Sequence, residues 1–374
     1  MPKVSVIILT YNAKKYIKKC LDSVLAQNYP NIEAIIIDNA SSDGTVERIN
    51  LWIKNNSINS VISYKLLVNS YNLGFAAGQN QGIRESKGEY ILCLNQDAWL
   101  NRDFIKNAVD VLEKDEKIAA VQGKLIRFDF QNNKILDIID TTGLVMLKNR
   151  RIINRDQGVP VGKLNQSEIE EIFGADGAAP IYRRKALEDT KLPINSKLEV
   201  EPLSSLSSLR GSTSKATKAT TERFEYFDED FFIYKEDVDL AWRLRLYGWK
   251  AVYIPQCVAY HGRGAGDSAA SDYSDILKER RKISALAKYY SWKNQRLMQI
   301  KNEAIGLFLK HLFYILPKES ASWIYILIFE EPMAIKSILK MFRQIIAAYK
   351  KRRIIMSKKK ISDREMEKWF TPHT

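Results

Sequence analysis

Short apolar runs separated by helical patterns decide what the first hundred residues can fold into. Val4-Ser-Val-Ile-Ile-Leu9 opens the series, and residues 32–37, 61–68 and 90–94 continue it. Between them, residues 14–26 place Tyr16, Ile17, Cys20, Leu21 and Val24 at helical spacing. Asp43-Gly44-Thr45 opens a second helix through Ile49 and Ile53, and residues 76–85 form a third. Strands alternating with helices build right-handed βαβ units around a buried parallel sheet. Such sheets bind ligands beyond the carboxyl ends of their strands. Four clusters stand there: Thr10-Tyr11-Asn12, Asp38-Asn39, Asn72-Leu73-Gly74 and Asn95-Gln96-Asp97. All four are expected to face one crevice.

Further along, the pattern collapses between 195 and 221; of the eighteen residues 204–221, ten are Ser or Thr, which reads as a flexible loop or lid. Order resumes at 224–234, followed by an amphipathic helix through Val238, Ala241, Trp242 and Leu244 that stops at Gly248. A last strand, 251–260, leads into His261. The chain is 45% hydrophobic and 27% charged, which excludes wholesale disorder. Three scattered cysteines, Cys20, Cys93 and Cys257, exclude a disulfide framework and a CxxC zinc site, and fit a reducing compartment.

The net charge of +14 is localised: residues 278–374 carry 22 Lys and Arg against 8 Asp and Glu, and the remainder balances. A neutral body with a basic tail reads as a catalytic or binding unit tethered to something anionic. In that tail Ile335, Ile338, Leu339, Phe342, Ile345, Ile346 and Tyr349 recur at helical spacing, opposite Lys336, Lys340 and Arg343. An amphipathic helix with a basic flank suits an anionic bilayer surface, and the same pattern fits a helix packed on the catalytic domain or on a dimer partner. No recognition motif supports nucleic acid as the partner. Charges and Pro317 interrupt the apolar runs 305–316 and 323–329, so no membrane span is expected. With the first strand starting at Val4, no signal peptide is expected either. The expected location is cytoplasmic, on the inner face of the cell membrane.

Asp97 follows an apolar strand directly, so its carboxylate projects from a rigid strand end. There it suits a hard divalent cation, which takes one or two protein carboxylates plus substrate phosphates; a helix-capping Asp is the alternative. Asp38 is placed to accept hydrogen bonds from a ribose or base, or else to form a turn with Asn39. Glu236-Asp237-Val238-Asp239 puts three carboxylates at a helix start, where the dipole is expected to keep them ionised; structural acids are common there too. An ionised carboxylate beside a reacting hydroxyl acts as general base, whereas Asp239 is expected to point elsewhere on the helix. His261 is read either as a third ligand beside Asp97 and phosphates or as a satisfied structural residue. Arg263 lies in a glycine-rich stretch read as a mobile flap. GxxxxGK[ST] is missing, which removes the P-loop class, and Tyr11-Asn12-Ala13 after strand one disfavours a dinucleotide fingerprint.

Taken together, Val4–Asn12, Asp38–Thr45, Asn72–Asn80, Leu94–Asp97, Phe227–Leu240 and His261 resemble glycosyltransferase family 2 over residues 3–265, closest to its rhamnosyltransferase-like branch. The resemblance implies the GT-A fold: a Rossmann-like, mixed but mainly parallel α/β sheet with flanking helices, here with a basic helical extension. Its catalytic domain would cover 1–265, with a nucleotide-binding half (1–100) and an acceptor half (101–265) holding the insertion 196–222. Residues 266–374 would form the membrane-associating region. The same resemblance implies an inverting, metal-dependent transfer of a sugar, rhamnose included, from a dTDP- or UDP-type donor to a lipid-linked or glycan acceptor. The donor would be held by Thr10, Tyr11, Asn12, Asp38, Asn39, Asn72, Gly74, Asn80, Asn95, Gln96 and Arg263. Mn2+ or Mg2+ would bind Asp97 and His261, because Asn95 replaces the first acid of the family's metal motif. Asp237 would be the base with Glu236 beside it, and Asp176, Gly177 and Arg184 would meet the acceptor. Two rival functions are a non-catalytic sugar- or nucleotide-binding member of the fold and a sugar nucleotidyltransferase, which would want a glycine-rich basic loop after strand one.

Overall fold

The computed structural model describes residues 1–56, 62–164, 167–194, 223–262, 278, 280–330 and 333–372. The expected insertion at 196–222 and Arg263 lie outside them.

Strands β1 (Val4–Thr10), β2 (Ile32–Asp38), β3 (Ser63–Val68) and β4 (Tyr90–Asn95) are parallel and lie in the order 3-2-1-4. They are joined by α1 (Ile17–Leu25), α2 (Thr45–Asn56) and α3 (Phe75–Glu85). The central strand β1 is buried along its whole length, as a continuous apolar run in a parallel sheet requires. Next come β5 (Ala98–Leu100), α4 (Phe104–Leu112), β6 (Ile118–Asp129), β7 (Lys134–Thr141), β8 (Leu144–Leu147), β9 (Ile152–Asn154) and β10 (Glu170–Ile172). They are followed by β11 (Ile181–Arg183), α5 (Arg184–Thr190), β12 (Leu192–Pro193), β13 (Phe224–Glu225), α6 (Glu236–Leu246) and β14 (Lys250–His261). The sheet runs β10-β14-β6-β11-β4-β1-β2-β3, and β11 is antiparallel to both β4 and β6. One face packs on α1, α2 and α4, the other on α3, α5 and α6. All three cysteines are free and buried.

The C-terminal region adds α7 (Ala285–Asn302), α8 (Ile305–Lys310), α9 (Leu312–Phe329), α10 (Met333–Ser357), α11 (Asp363–Glu367) and β15 (Phe370–Thr371), which pairs with β8. These elements share an apolar cluster with α6, centred on the wholly buried Trp242. A buried ionic network adds to it. Lys351 on α10 reaches Glu225 at 2.6 Å, Asp228 at 2.5 Å and Asp230 at 2.9 Å, while Lys301 on α7 pairs with Asp228 and with Asp239 at 2.8 Å. Burial is tolerated there because each charge meets an opposite one.

The tail departs from its sequence pattern in two respects. Pro317 and the charges after it do not break the helix: residues 305–310 form α8, and Leu312–Phe329 run on as one helix, α9, which is long and apolar enough by length and composition alone to cross a membrane. Its charges do not break it because Lys318 and Arg296 both pair with Glu319. On α10, the face packed inward is the less apolar one: Ser337, Met341, Gln344, Ala348, Lys351 and Ile355 are buried. Ile335, Leu339, Phe342, Ile346 and Tyr349 are exposed.

Candidate active site

On the donor side, the ends of β1 and β2 are stitched by their own polar groups. The Thr10 hydroxyl donates to Asp38 at 2.8 Å, and the Asp38 carboxylate also accepts from the Ser41 backbone N–H (2.8 Å) and hydroxyl (2.6 Å). Thr10 and Asp38 are wholly buried. The Tyr11 N–H donates to Gln96 Oε1 at 2.7 Å, and Gln96 returns an N–H to the Tyr11 carbonyl at 3.2 Å. Asn12 adopts φ +49° and receives the Ser42 N–H at 2.9 Å. Exposed groups left facing outward are Tyr11 and Asn12, with Asn72, Asn95 and Gln96 half-buried beside them.

Asn39 and Asn80, expected to touch the donor, are scaffold instead. Asn39 donates to the Gly74 carbonyl and accepts from Asn69, both at 3.0 Å. Asn80 donates to the Phe227 carbonyl (2.7 Å) and Glu229 (3.0 Å), and accepts from the Tyr226 (3.1 Å) and Phe227 (2.9 Å) N–H groups. Both are buried with their amides consumed, because a buried amide left unpaired would be costly. Asn72 accepts the Gly74 N–H at 2.8 Å. Gly74 has φ +85°, and a Cβ there would meet the Phe232 ring at 2.5 Å. Its place is a close backbone approach that only glycine allows.

At the end of β4, Asp97 faces His261, the last residue of β14, with 3.5 Å between Oδ1 and Nε2. The other ring nitrogen, Nδ1, lies 2.8 Å from Asp140 Oδ2. Asp140 is wholly buried on β7, with Arg127 at 3.7 Å. Burial works against a charged imidazole, but Asp97 and Asp140 outweigh it and raise the His261 pKa to about 10. A carboxylate on the far nitrogen orients a histidine toward a metal, so Asp140 is a supporting residue that sequence reasoning missed. Its one sequence signal is an acid inside the apolar run Ile138-Ile139-Asp140. Among the described residues, no group of three His, Cys, Asp or Glu is disposed to hold a metal by itself. Asp97 and His261 offer one carboxylate and one imidazole, two of the six positions of an octahedral cation, which fits a cation completed by diphosphate oxygens.

The opposite station is built on strained backbone. Phe232, Tyr234 and Lys235 have φ values of +65°, +72° and +75°, each costing about 1 kcal/mol or more for a residue with a side chain. Lys235 then caps α6, which begins with Glu236 and Asp237. Asp237 accepts from the Gly177 N–H at 3.1 Å and the Val238 N–H at 2.8 Å. Gly174 lets the acceptor-side loop lie against α6, where a Cβ would stand 2.3 Å from that of Ala241. In this way Asp176 and Gly177 are brought to Asp237. The expectation that the dipole keeps these acids ionised is corrected for Glu236. Burial and then the Asp176 charge push Asp237 up to about 6, and burial with Asp237 pushes Glu236 well above the ordinary carboxylate range. Glu236 Oε2 is buried without a hydrogen-bond partner among the described residues. Asp239 turns away, as expected, to Arg243 (3.1 Å) and Lys301 (2.8 Å).

Arg184 does not join the acceptor side. It donates to the Gly88 carbonyl at 2.5 Å and the Ser86 hydroxyl at 2.6 Å, ahead of β4 and at the far end of that strand from Asn95. The antiparallel direction of β11 carries it there.

Residues 5–190, about half of the chain, match the family described as Glycosyl transferase family 2. A poly-beta-1,6-N-acetyl-D-glucosamine synthase of Staphylococcus epidermidis is 24% identical over 257 residues, covering 69% of this chain and 49% of that protein. The chain thus spans about half the length, or less, of the first curated relatives it matches. Residues 1–349 of S. aureus TarS, solved with UDP-GlcNAc, align with a TM-score of 0.52 at 15% identity over 95% of this chain and 90% of that one. GalNAc-T7, solved with UDP, GalNAc and Mn2+, gives 0.52 at 13% identity over 87% of this chain and 57% of that one. The fold is the GT-A fold.

Proposed function

This chain belongs to glycosyltransferase family 2, and on that premise we propose that it transfers a sugar, with inversion, from a nucleoside-diphosphate donor to a hydroxyl of a lipid-linked or polysaccharide acceptor. One arrangement carries the proposal: a carboxylate, Asp237, with a pKa near 6, opening α6 beside the Asp176–Gly177 loop. A base tuned close to neutrality is ionised at pH 7 and still accepts a proton readily. Asp237 takes the acceptor hydroxyl proton as that oxygen bonds to the anomeric carbon. The bond from that carbon to the diphosphate breaks on the opposite face, and its electron pair leaves with the nucleoside diphosphate. Glu236, driven toward its neutral form, keeps a second negative charge away from the base.

Tyr11, Asn12, Asn72, Asn95 and Gln96 are the groups proposed to meet the donor, and Asp176 and Gly177 the acceptor. Asp97 and His261 would hold Mn2+ or Mg2+, which supplies electrostatic stabilisation to a departing diphosphate. The resemblance to the rhamnosyltransferase-like branch supports reading the donor as a dTDP- or UDP-type nucleotide sugar, rhamnose included. A UDP-N-acetylhexosamine is the second reading, favoured by the name of the S. epidermidis relative. Incubation with a panel of nucleotide sugars and Mn2+ tests the proposal. Release of nucleoside diphosphate with at least one donor is expected, and no release from any would overturn it.

The acceptor is proposed to lie at an anionic membrane surface, on the cytoplasmic side. The exposed Leu339, Phe342 and Ile346 of α10 and Phe313, Ile328 and Phe329 of α9 support this, with Lys336, Lys340 and Arg343 exposed alongside. Apolar side chains rimmed by basic ones match the chemistry of an anionic bilayer. Flotation with phosphatidylserine vesicles is expected for the full chain and not for Leu339→Asp/Phe342→Asp. Equal flotation, or dimerisation through this face with no flotation, would refute it.

A further inference from the structure

The loop in front of the base does not hold its shape through its own preferences. Three residues out of the four from Phe232 to Lys235 are in the left-handed region, and none is glycine. Its partners come from two directions. On the nucleotide side, the Phe232 carbonyl accepts the Phe75 N–H at 2.6 Å and the Ala76 N–H at 3.2 Å, at the start of α3. On the C-terminal side, the amide nitrogen of Asn294 on α7 lies 2.9 Å from the Phe231 carbonyl, 2.9 Å from that of Ile233 and 2.7 Å from that of Tyr234. Asn294 is wholly buried, and its Oδ1 has no hydrogen-bond partner among the described residues, so its polar contacts go to this loop alone. One turn earlier, Tyr290 stacks on Phe232 with centroids 5.0 Å apart and planes at 17°.

We infer that α7 is part of the catalytic apparatus, and that Asn294 is a positioning residue holding the left-handed loop so that Asp237 faces the Asp176–Gly177 segment. The inference rests on Asp237 being the base. The argument is geometric. Asp237 follows Lys235 by two residues, and its hydrogen bond to Gly177 is made only if the loop delivers α6 at that angle. A lost donor takes that partner from the Ile233 and Tyr234 carbonyls, while the Phe231 carbonyl keeps the Ile233 N–H at 2.8 Å, and a chain with side chains at φ above +60° then relaxes toward negative φ. Tyr11, Asn12, Asn95 and Gln96 hang on β1 and β4, away from the loop, which meets the nucleotide side only at Gly74 and the start of α3, where Phe75 and Ala76 keep their hold on the Phe232 carbonyl. Loss of Asn294 therefore lowers turnover while leaving donor affinity alone, a split that general destabilisation does not produce. The role also explains why the basic tail is bolted to the catalytic segment by buried polar groups. Lys293 and Gln344 each donate to the Asp230 carbonyl, at 2.9 and 3.1 Å.

The test compares Asn294→Ala, Asn294→Asp and Gln295→Ala in the full chain. Gln295 is also buried on the same helix but donates to the Arg150 carbonyl at 2.8 Å, away from the loop. Asn294→Asp keeps the size and removes the N–H donors. Both Asn294 variants are expected to lose about a hundredfold in kcat with donor KM within twofold of the parent, as a displaced base would, while Gln295→Ala keeps kcat within a few-fold. Equal kcat in Asn294→Ala and Gln295→Ala, or a parallel loss of kcat and donor affinity, overturns the positioning role. Should Asn294→Ala not fold, Tyr290→Leu, which removes the stack on Phe232, is expected to show the same split, and unchanged kcat there counts against it. Asp237→Asn measured alongside separates the two readings. Activity in that variant removes the base itself, whereas an inactive Asp237→Asn with a fully active Asn294→Ala removes only the positioning.

Discussion

The two carboxylate stations of the crevice are made in opposite ways. Asp97 stands 3.5 Å from His261, whose other ring nitrogen is held by Asp140, a pairing of carboxylates and imidazole at the ends of β4 and β14 whose Nε2 proton a bound cation would displace. Asp237 stands beside Glu236 and Asp176, acids brought together at the start of α6 next to Lys235. The first needs no unusual backbone, whereas the second follows three left-handed residues. Both hang on one loop, since the Asn95 N–H donates to the Ala178 carbonyl at 2.9 Å while Gly177 reaches Asp237. The difference teaches what each side is for. A carboxylate and an oriented imidazole hold a ligand set still, and a buried carboxylate beside other acids stays a reactive proton acceptor.

The largest test of that contrast is Asp237→Asn. It keeps the hydrogen-bonding oxygen and removes the base, so kcat is expected to fall about a thousandfold with donor binding nearly intact. A wild-type rate would end the distinction between the stations. Asp97→Ala is the matching change on the other side, and there donor affinity in Mn2+ is expected to fall together with turnover. A variant that lost turnover but kept its Mn2+-dependent donor affinity would break the comparison. Asp140→Asn acts one bond further out. Its loss of grip on His261 is expected to weaken Mn2+ affinity about 10–100-fold, measured by calorimetry with UDP present.

A pH profile sharpens the other half. Asp237 must be ionised to take a proton, and its pKa lies near 6. Activity is therefore expected to be level above about pH 7 and to drop about tenfold per unit below pH 6. An acid limb near pH 4 would mean that the crowding of acids has no effect on the base.

The parallel half of the sheet was legible because continuous apolar strands and helical spacing are local signals, and so were the ends of those strands. The pairing of Asp97 with His261 was legible through a resemblance spanning the two. Asp140 was not, since nothing near it in sequence says that β7 folds back along β6 and brings Asp140 to His261. Asn39 and Asn80 were misassigned for a related reason: an amide near a strand end serves a ligand or the scaffold equally well until its partners are known. Local sequence placed acids at a helix start and invoked the dipole, but burial by distant segments decided their protonation. The inward face of α10 was hidden because Ser337, Gln344 and Lys351 look like a solvated face; only the acids at 225, 228 and 230 make Lys351 a core residue.

The smallest predicted effect separates the two causes that raise Asp237. Burial comes first among them and the Asp176 charge second. Asp176→Asn keeps its side chain's size and its acceptor oxygen for the Ala178 N–H, a bond of 3.0 Å, so the loop holds its path. Only the charge goes. The acid limb of the pH profile is then expected to move to lower pH by less than about one unit, because desolvation alone sustains most of the elevation. A shift of the limb all the way to the ordinary carboxylate range would make Asp176, rather than enclosure by α6 and its neighbours, the element that tunes the base. No shift would leave enclosure as its sole cause, and the contrast with the Asp97 station would then be one of solvent access instead of charge.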